Sequence, residues 1–445
     1  MAEFQLVDTA CSLFEKSSGC KLHRDPTTEK CKVLMIGRWK GLVQQEDIPL
    51  PYLKVTDHLD FLGCKLYSDY GTSRRENGEI LKSKIRKQMA SWKSGKFLPL
   101  TSRPWSLNCY SFSKLWYRSS CLDLRVGDSN SITSMAKGWL YQDMLLKPQE
   151  IMLFRSPNTG GLGLYNVRSR AMAMLIQNFL LQAVSPNFPT NFYLNSLFRW
   201  HVLEERDIAD PGRPPYYSEE FFKIIKDTHF NSPLNVAWIT LKQWYQILIE
   251  RGVTHTTEAQ DSPPILLPSH LEEKYPDINF PHNYGMCRLF GLSPEQKSFL
   301  FKMRQNLLPT RERLHRLGKI PSPSCRFCNH EQDTTEHLLS CPISSEVVTP
   351  LVSCLSNQTN NLTNEDIILS SIHTSESWEL PAMWLTSTCL SLLWEDRVKG
   401  ISTSIGRLRA ELLAKVALLR DTKWKHFTLH NSALLLDEAI NLHFN

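Results

Sequence analysis

One short stretch, residues 323–341, constrains the fold of this chain more than any other. Cys325 and Cys328 have the spacing of a knuckle turn, which points two thiolates at one centre. His337 and Cys341 stand at i and i+4, so a helix places them on one face, a turn apart. Two ligands from a turn and two from a helix suit a tetrahedral structural zinc ion and leave no open position for catalytic water.

The residues before His337 carry a helix start signal. Asp333 or Thr334 can cap a helix, and Glu336 stands where a capping box places its second partner. The alternative is a chance grouping of cysteines and a histidine in a chain rich in both. Because spacing, turn and helix start agree, we predict one zinc ion per chain, held by Cys325, Cys328, His337 and Cys341.

Length and composition bound the class of protein. A chain of 445 residues, 42% of them hydrophobic, is long enough for about two to four domains. The remaining cysteines are scattered, unlike the dense framework of a small secreted domain. The N-terminus shows no signal-peptide pattern, and no uncharged run suits a membrane span. We therefore expect a protein of the nucleus or cytoplasm, neither secreted nor membrane-bound.

Positive charge is concentrated in one segment. Residues 74–137 contain 13 Lys and Arg against 4 Asp and Glu, whereas the whole chain carries a net charge of only +6. A basic segment of this kind is typical of a polyanion-binding surface, although a solvated basic face is the plainer alternative.

The pattern of apolar and polar residues predicts a mainly α-helical protein with a few strands near the N-terminus. Strands are predicted over 32–37 and 61–67, and the glycines of 160–163 predict a tight turn. Ser293, Pro294 and Gln296 form a clear helix start. Helices are predicted over 2–17, 77–92, 105–121, 167–183, 219–227, 235–250, 310–317, 376–394, 404–424 and 432–443.

The helix predicted over 77–92 is basic on one face and apolar on the other. Leu81, Ile85 and Met89 form its apolar face. Aromatic residues interleave with the cations of this region and can stack on bases, although core packing is the more ordinary role for each. The candidate nucleic-acid contacts are Lys82, Lys84, Arg86, Lys87, Lys93 and Lys96, with Trp92 and Trp105 packing beneath them.

Several segments together resemble the C-terminal half of the reverse transcriptase of LINE-type non-LTR retrotransposons. The resemblance covers about residues 2–345, whereas the last hundred residues match only loosely. No single segment is decisive, but their order and spacing agree with the family. The segments are Phe14–His23, Lys30–Leu34, Phe61–Gly63, Gly160–Leu164, Leu307–Arg311 and the four proposed zinc ligands.

The resemblance implies a fold class and a domain order. It implies a mainly α protein with a small β remnant of a polymerase palm, a helical thumb, a CCHC zinc knuckle and a helical C-terminal region. The predicted domains are the palm end (1–70), the thumb-like basic domain (71–184), a proline-rich connector with helices (185–290), the zinc-binding module (291–345) and the C-terminal helices (346–445).

The family activity is RNA-directed DNA polymerisation, which needs adjacent aspartates to hold two metal ions. This sequence contains no Asp-Asp dipeptide. We therefore expect a fragment that binds RNA or an RNA–DNA hybrid and is not an enzyme on its own, with no small-molecule substrate. The alternatives are the C-terminal portion of an active polymerase whose upstream half is missing here, and a non-functional relic with a protein-binding zinc module.

Overall fold

The computed structural model is mainly helical, with a small β part near the N-terminus, in agreement with the predicted class. None of the helices in its described residues is long and apolar enough to cross a membrane. The structure describes residues 2–444 except 20, 22, 29, 36–39, 62, 93–97, 121–122, 143, 158–159, 186–190, 208–216, 218, 228–238, 251–291, 330–331, 359–361, 363–366, 368–376 and 422–426.

Four short strands and a series of helices make up the described secondary structure. The strands are β1 (Cys31–Leu34), β2 (Leu53–Thr56), β3 (His58–Phe61) and β4 (Cys64–Tyr67). The helices of the N-terminal half are α1 (Ala2–Ser18), α2 (Tyr70–Ser91), α3 (Arg103–Ser106), α4 (Ser113–Ser119), α5 (Val126–Leu140), α6 (Glu150–Phe154), α7 (Val167–Val184) and α8 (Asn191–His201). Those of the C-terminal half are α9 (Glu219–Lys226), α10 (Leu241–Glu250), α11 (Pro294–Arg304), α12 (Arg311–Arg316), α13 (His337–Ser340), α14 (Ser345–Ser356), α15 (Glu379–Lys399), α16 (Ile405–Asp421) and α17 (Phe427–His443).

The chain forms two compact units, and each unit is assembled from three stretches of sequence. The first unit contains Met1–Trp92, Tyr110–Ala136 and Asn166–Gln260. The second unit contains Lys93–Cys109, Lys137–Tyr165 and Asp261–Asn445. The five contiguous domains expected from the sequence stay a prediction.

The β part consists of two separate pairs of strands. β1 pairs with β2 in parallel, and β3 pairs with β4 in an antiparallel hairpin. The single strand predicted over 61–67 is therefore wrong, because Gly63 has a φ of 83° and turns the chain between Phe61 and Cys64. A two-residue hairpin turn requires such positive φ values. The strand predicted over 32–37 begins a residue earlier and ends at Leu34, and β2 was not predicted.

Helix α2 begins earlier than the sequence indicated. It begins at Tyr70, seven residues upstream of the predicted start, and Asp69 caps it by accepting a hydrogen bond from the Thr72 backbone N–H at 2.6 Å. The predicted apolar face is confirmed, since Leu81, Ile85 and Met89 are buried. Asn77 is buried on the same helix, where its side chain bonds both backbone groups of Lys65 and fixes the hairpin to α2.

The continuous helix predicted over 105–121 is interrupted. A five-residue π-helical segment, Leu107–Ser111, separates α3 from α4. A π segment rotates the following turn relative to an α-helix, so the apolar stripe shifts. Leu107, Phe112 and Leu115 are buried, whereas Trp105 is 63% exposed.

The core of the first unit packs around α7. Phe179 of α7 contacts the rings of Phe221 and Phe222 at centroid distances of 5.2 and 5.8 Å. Trp244 of α10 is fully buried in the same cluster. Helix α9 agrees with its predicted span, whereas α10 begins at Leu241, and residues 235–238 of its predicted span lie outside the described residues.

The core of the second unit joins the predicted zinc module to the C-terminal helices. Phe299 and Leu300 of α11 and Leu338 of α13 belong to the same buried cluster as Trp384 of α15 and Leu412 of α16. Helix α14, which the sequence analysis missed, contributes Val347 and Leu351 to this cluster. This buried cluster therefore contains residues from both sides of position 345.

Candidate functional site

The four predicted zinc ligands converge on one point. Their ligand atoms all lie within 4.8 Å of one another, and Cys328 Sγ is 3.2 Å from His337 Nε2. Zinc bonds of 2.0–2.3 Å at tetrahedral angles place ligand atoms about 3.5–3.8 Å apart, so the set fits one zinc ion. Cys325, His337 and Cys341 are buried and Cys328 is half-buried, which suits a closed structural site.

The first two ligands are positioned by a tight turn. The backbone N–H of Phe327 donates to Cys325 Sγ at 3.4 Å, and that of Asn329 donates to the Cys325 carbonyl at 2.9 Å. Asn329 closes the turn with a φ of 59°, a left-handed conformation that asparagine tolerates better than most residues. This geometry presents the two thiols toward His337.

The other two ligands, His337 and Cys341, lie at the two ends of the short helix α13. The Thr334 hydroxyl accepts a hydrogen bond from the His337 backbone N–H at 3.2 Å, and Cys341 follows the helix as its C-cap residue. The N-cap residue of α13 is Glu336, without a side-chain cap bond, so neither predicted cap residue holds that position, although Thr334 bonds the first N–H of the helix. The capping box of Asp333 and Glu336 is wrong, because the Asp333 carboxylate binds a distant arginine instead.

That arginine is Arg397 of α15, and it braces the metal centre. Its Nη2 donates to Asp333 Oδ1 at 2.6 Å and to Cys325 Sγ at 3.0 Å, and its Nε donates to Asp333 Oδ1 at 3.0 Å. Both charged side chains are more than nine-tenths buried. A guanidinium beside a thiolate ligand stabilises its negative charge and fixes its position. Sequence reasoning missed Arg397, because no local pattern marks a partner that lies 72 residues away.

The same environment favours the ionised form of one ligand. Burial opposes ionisation of the Cys341 thiol, but the backbone N–H of Ile343, the neighbouring cysteines and Arg397 outweigh it, so the pKa of Cys341 lies below its usual value. Zinc binds thiolate rather than thiol, so this shift favours metal binding at neutral pH.

A second candidate site lies in the first unit. It is a cleft of about 840 Å³ lined by four cationic side chains, with no acidic residue on its described walls. Lys84 and Lys87 come from one face of α2, together with Trp92 at the end of that helix. The other two cations are Lys114 and Arg118 of α4, which sequence reasoning did not single out.

The predicted nucleic-acid contacts are distributed unevenly. Lys84, Arg86 and Lys87 are exposed on α2. Lys82 instead pairs with Glu79 at 2.6 Å and with buried Asp128 at 2.9 Å.

The remaining four predicted contacts do not add exposed cations of the described residues to those on α2. Trp92 packs edge-on against Tyr110 with ring centroids 5.8 Å apart. Trp105 belongs to the second unit and is exposed. Lys93 and Lys96 lie outside the described residues.

Comparison with known proteins agrees with the metal centre. A search among curated proteins finds no match to the chain. Residues 289–347 match the family model described as zinc-binding in reverse transcriptase, and this range contains all four converging ligands. Residues 289–347 are therefore similar to a zinc-binding domain found in reverse transcriptases, and their three cysteines and one histidine can hold one zinc ion.

Proposed function

We propose that this chain is the palm end, thumb and zinc-binding module of a LINE-type reverse transcriptase, and that it binds RNA or an RNA–DNA hybrid through the phosphate backbone. The observation that carries the proposal is the family match over residues 289–347, a range that contains a complete zinc-ligand set. The structural zinc holds the module in shape and takes no part in chemistry, because four protein ligands fill its coordination sphere.

The basic face of α2 supports a role in binding phosphates. Lys84 and Lys87 are exposed and stand three positions apart, so they lie side by side on the helix. Arg86 is exposed on a neighbouring face. Exposed cations beside a cleft whose described lining has no acidic residue suit the repeated charge of a nucleic-acid strand rather than one small ligand.

The proposed role on its own is binding, without polymerisation. No Asp-Asp pair stands anywhere in these 445 residues to hold catalytic metal ions. A longer protein that includes this chain and supplies such a pair upstream would use the same surface to grip its template.

The salt dependence of RNA binding tests the proposal. We expect the affinity of the purified chain for a single-stranded RNA to fall steeply with salt, since cations that bind phosphates release counterions. Replacing Lys84, Arg86 and Lys87 together with glutamine is expected to flatten the slope of log K against log salt by roughly 2.

A matched triple variant separates this surface from net charge. The control replaces three exposed cations of the same unit, Arg206, Lys223 and Lys226, with glutamine. This removes the same amount of positive charge. We expect that control to keep the wild-type slope. Equal slopes for both variants, or no RNA binding by the wild-type chain at low salt, would refute the proposal.

A further inference from the structure

The cleft between α2 and α4 contains a buried cation, Arg118, one of whose N–H groups finds no acceptor in the part of the chain that the structure describes. Arg118 lines the cleft and is only 7% exposed. Its Nη1 atom is buried and has no hydrogen-bond partner among the described residues. A buried guanidinium N–H without an acceptor is costly, and folded proteins rarely leave one unpaired without a functional reason.

The surroundings of Arg118 leave room for an acceptor. Gly63, at the turn of the β3–β4 hairpin, also lines the cleft, and a Cβ there would lie 3.5 Å from Arg118 Nη2. Gln88 lines the cleft as well, and its Oε1 is buried without a partner among the described residues. A side-chain amide can turn to present its NH2 group instead, so Gln88 can donate to the same acceptor.

From this geometry we infer that the cleft is a built phosphate site, in which Arg118 is the buried anchor for one phosphate group of a nucleic-acid strand. Lys84, Lys87 and Lys114, which line the cleft and are exposed, supply the surrounding positive charge. A guanidinium binds phosphate oxygens through two N–H groups at once, which a lysine cannot do. Trp92, which lines the cleft and packs edge-on against Tyr110, offers a ring on which the adjoining base stacks.

This inference rests on the proposed function but makes a narrower claim. The proposed function needs only a cationic surface, and any exposed lysine of α2 contributes to it. The phosphate site needs Arg118, which as a buried residue contributes little to a diffuse surface charge. The two claims therefore respond differently to substitutions and to phosphate alone.

The experiment uses two probes on the full chain, inorganic phosphate by titration calorimetry and a single-stranded RNA by fluorescence anisotropy at constant ionic strength. We expect Arg118→Gln to weaken the binding of both probes roughly tenfold or more, as loss of a charge-assisted hydrogen bond does. Lys114→Gln changes an exposed residue of the same cleft and so tests the site without risk to the core. Lys114→Gln is expected to weaken the binding of both probes less than Arg118→Gln does.

Arg75→Gln provides the matched control. Arg75 is 56% exposed on α2, pairs with Glu76 and does not line the cleft. We expect it to bind both probes as the wild type does. The phosphate site is overturned if Arg118→Gln and Lys114→Gln bind RNA with wild-type affinity and the wild type does not bind inorganic phosphate. That outcome leaves the proposed function intact. Phosphate binding that needs Arg118, without any RNA binding, would leave an anion site in the cleft but overturn both the proposed function and the assignment of that site to a nucleic-acid strand.

Discussion

At the scale of single residues, the metal centre depends on one arginine outside the zinc-binding sequence. Arg397 bonds both Asp333 and the ligand Cys325 from a helix that begins at Glu379. The Arg397 guanidinium also lies over the ring of Phe327, which stands between Cys325 and Cys328 in the sequence, at 5.8 Å from the ring centroid. Arg397 therefore completes the shell around the zinc ligands, as outer partners of metal ligands usually do.

Replacing Arg397 with methionine is expected to lower zinc affinity about 10- to 100-fold, because Cys325 loses its cationic partner. It also leaves Asp333 as an unpaired buried charge, which costs about 3–5 kcal/mol of stability. Competition with a chromophoric chelator measures the first effect, and thermal unfolding measures the second.

Lys399→Met is the control, since Lys399 lies two positions along the same helix and pairs with exposed Glu395. A surface pair of this kind contributes little. If both variants bind zinc with equal affinity, Arg397 has no special role at the metal centre.

A second residue-scale feature is the buried amine of Lys415. Its Nζ donates to Thr388 Oγ1 at 3.0 Å and to Gln296 Oε1 at 3.1 Å, and burial lowers its pKa to about 8. Between about pH 8 and its unfolded pKa near 10.5, the unfolded chain binds more protons than the folded one. Stability supplied by Lys415 therefore rises with pH across this window.

Lys415→Met is expected to remove that dependence. We predict that wild-type stability relative to the variant rises by on the order of 3 kcal/mol from pH 8 to pH 10.5. Urea unfolding of both proteins at several pH values measures the difference, in which the titration of other groups cancels. If the difference in stability between the two proteins stays constant across this range, the pKa of Lys415 is the same in the folded and the unfolded chain.

At the scale of elements, local backbone geometry decides where turns form. Gly161 stands in the glycine-rich turn before α7, where an added Cβ would lie 2.1 Å from the backbone oxygen of Arg155. The backbone N–H groups of Leu162 and Leu164 bond back to Met152 and Leu153 of α6 at 2.7 and 2.9 Å. The segment is thus a packed structural turn, as the sequence indicated, and the close approach requires glycine.

Gly161→Ala is expected to destabilise the second unit by about 3 kcal/mol or more, because the clash is with backbone that cannot rotate away. Gly138→Ala is the matched control, since an added Cβ meets nothing within 4 Å on helix α5. That change is expected to stabilise by about 0.5–1 kcal/mol, the usual gain for alanine in a helix. Thermal unfolding of the two variants gives the comparison, and equal transition temperatures would contradict it.

At the scale of the whole molecule, zinc stabilises more than its own module. Leu338 and Leu339 of α13, between the ligands His337 and Cys341, pack in one core with helices α11 and α14–α17. Structural zinc contributes on the order of 10 kcal/mol to the folding of the segments it ties together. Loss of the metal is therefore transmitted through this core to the C-terminal helices.

Cys328→Ser, or removal of zinc with a chelator, is expected to expose residues 379–443 to proteolysis together with the 294–340 region. Cys109→Ser is the control, since Cys109 is exposed and is not among the converging ligands. Zinc analysis is expected to find one ion per chain in the wild type and in this control. Unchanged protection of the C-terminal helices in the zinc-free protein would show that they fold independently of the metal.

The sequence by itself determined the features that depend on short-range spacing. The four zinc ligands, the Ser293–Gln296 capping box, the glycine turn and the apolar face of α2 are all readable within a few turns of chain, and the structure contains each of them. Spacing determines them because ligand geometry, caps and helix faces are set by neighbours in sequence.

Only the tertiary structure decided what joins distant segments. Trp105 precedes the π segment at Leu107–Ser111 and is exposed rather than buried. Arg397, on another helix, donates a hydrogen bond to Cys325. Arg118 lines the same cleft as Lys84 and Lys87, whereas Lys82 forms an ion pair with Asp128. Such pairings depend on which charges burial brings together, and burial is a property of the packed core rather than of any local pattern.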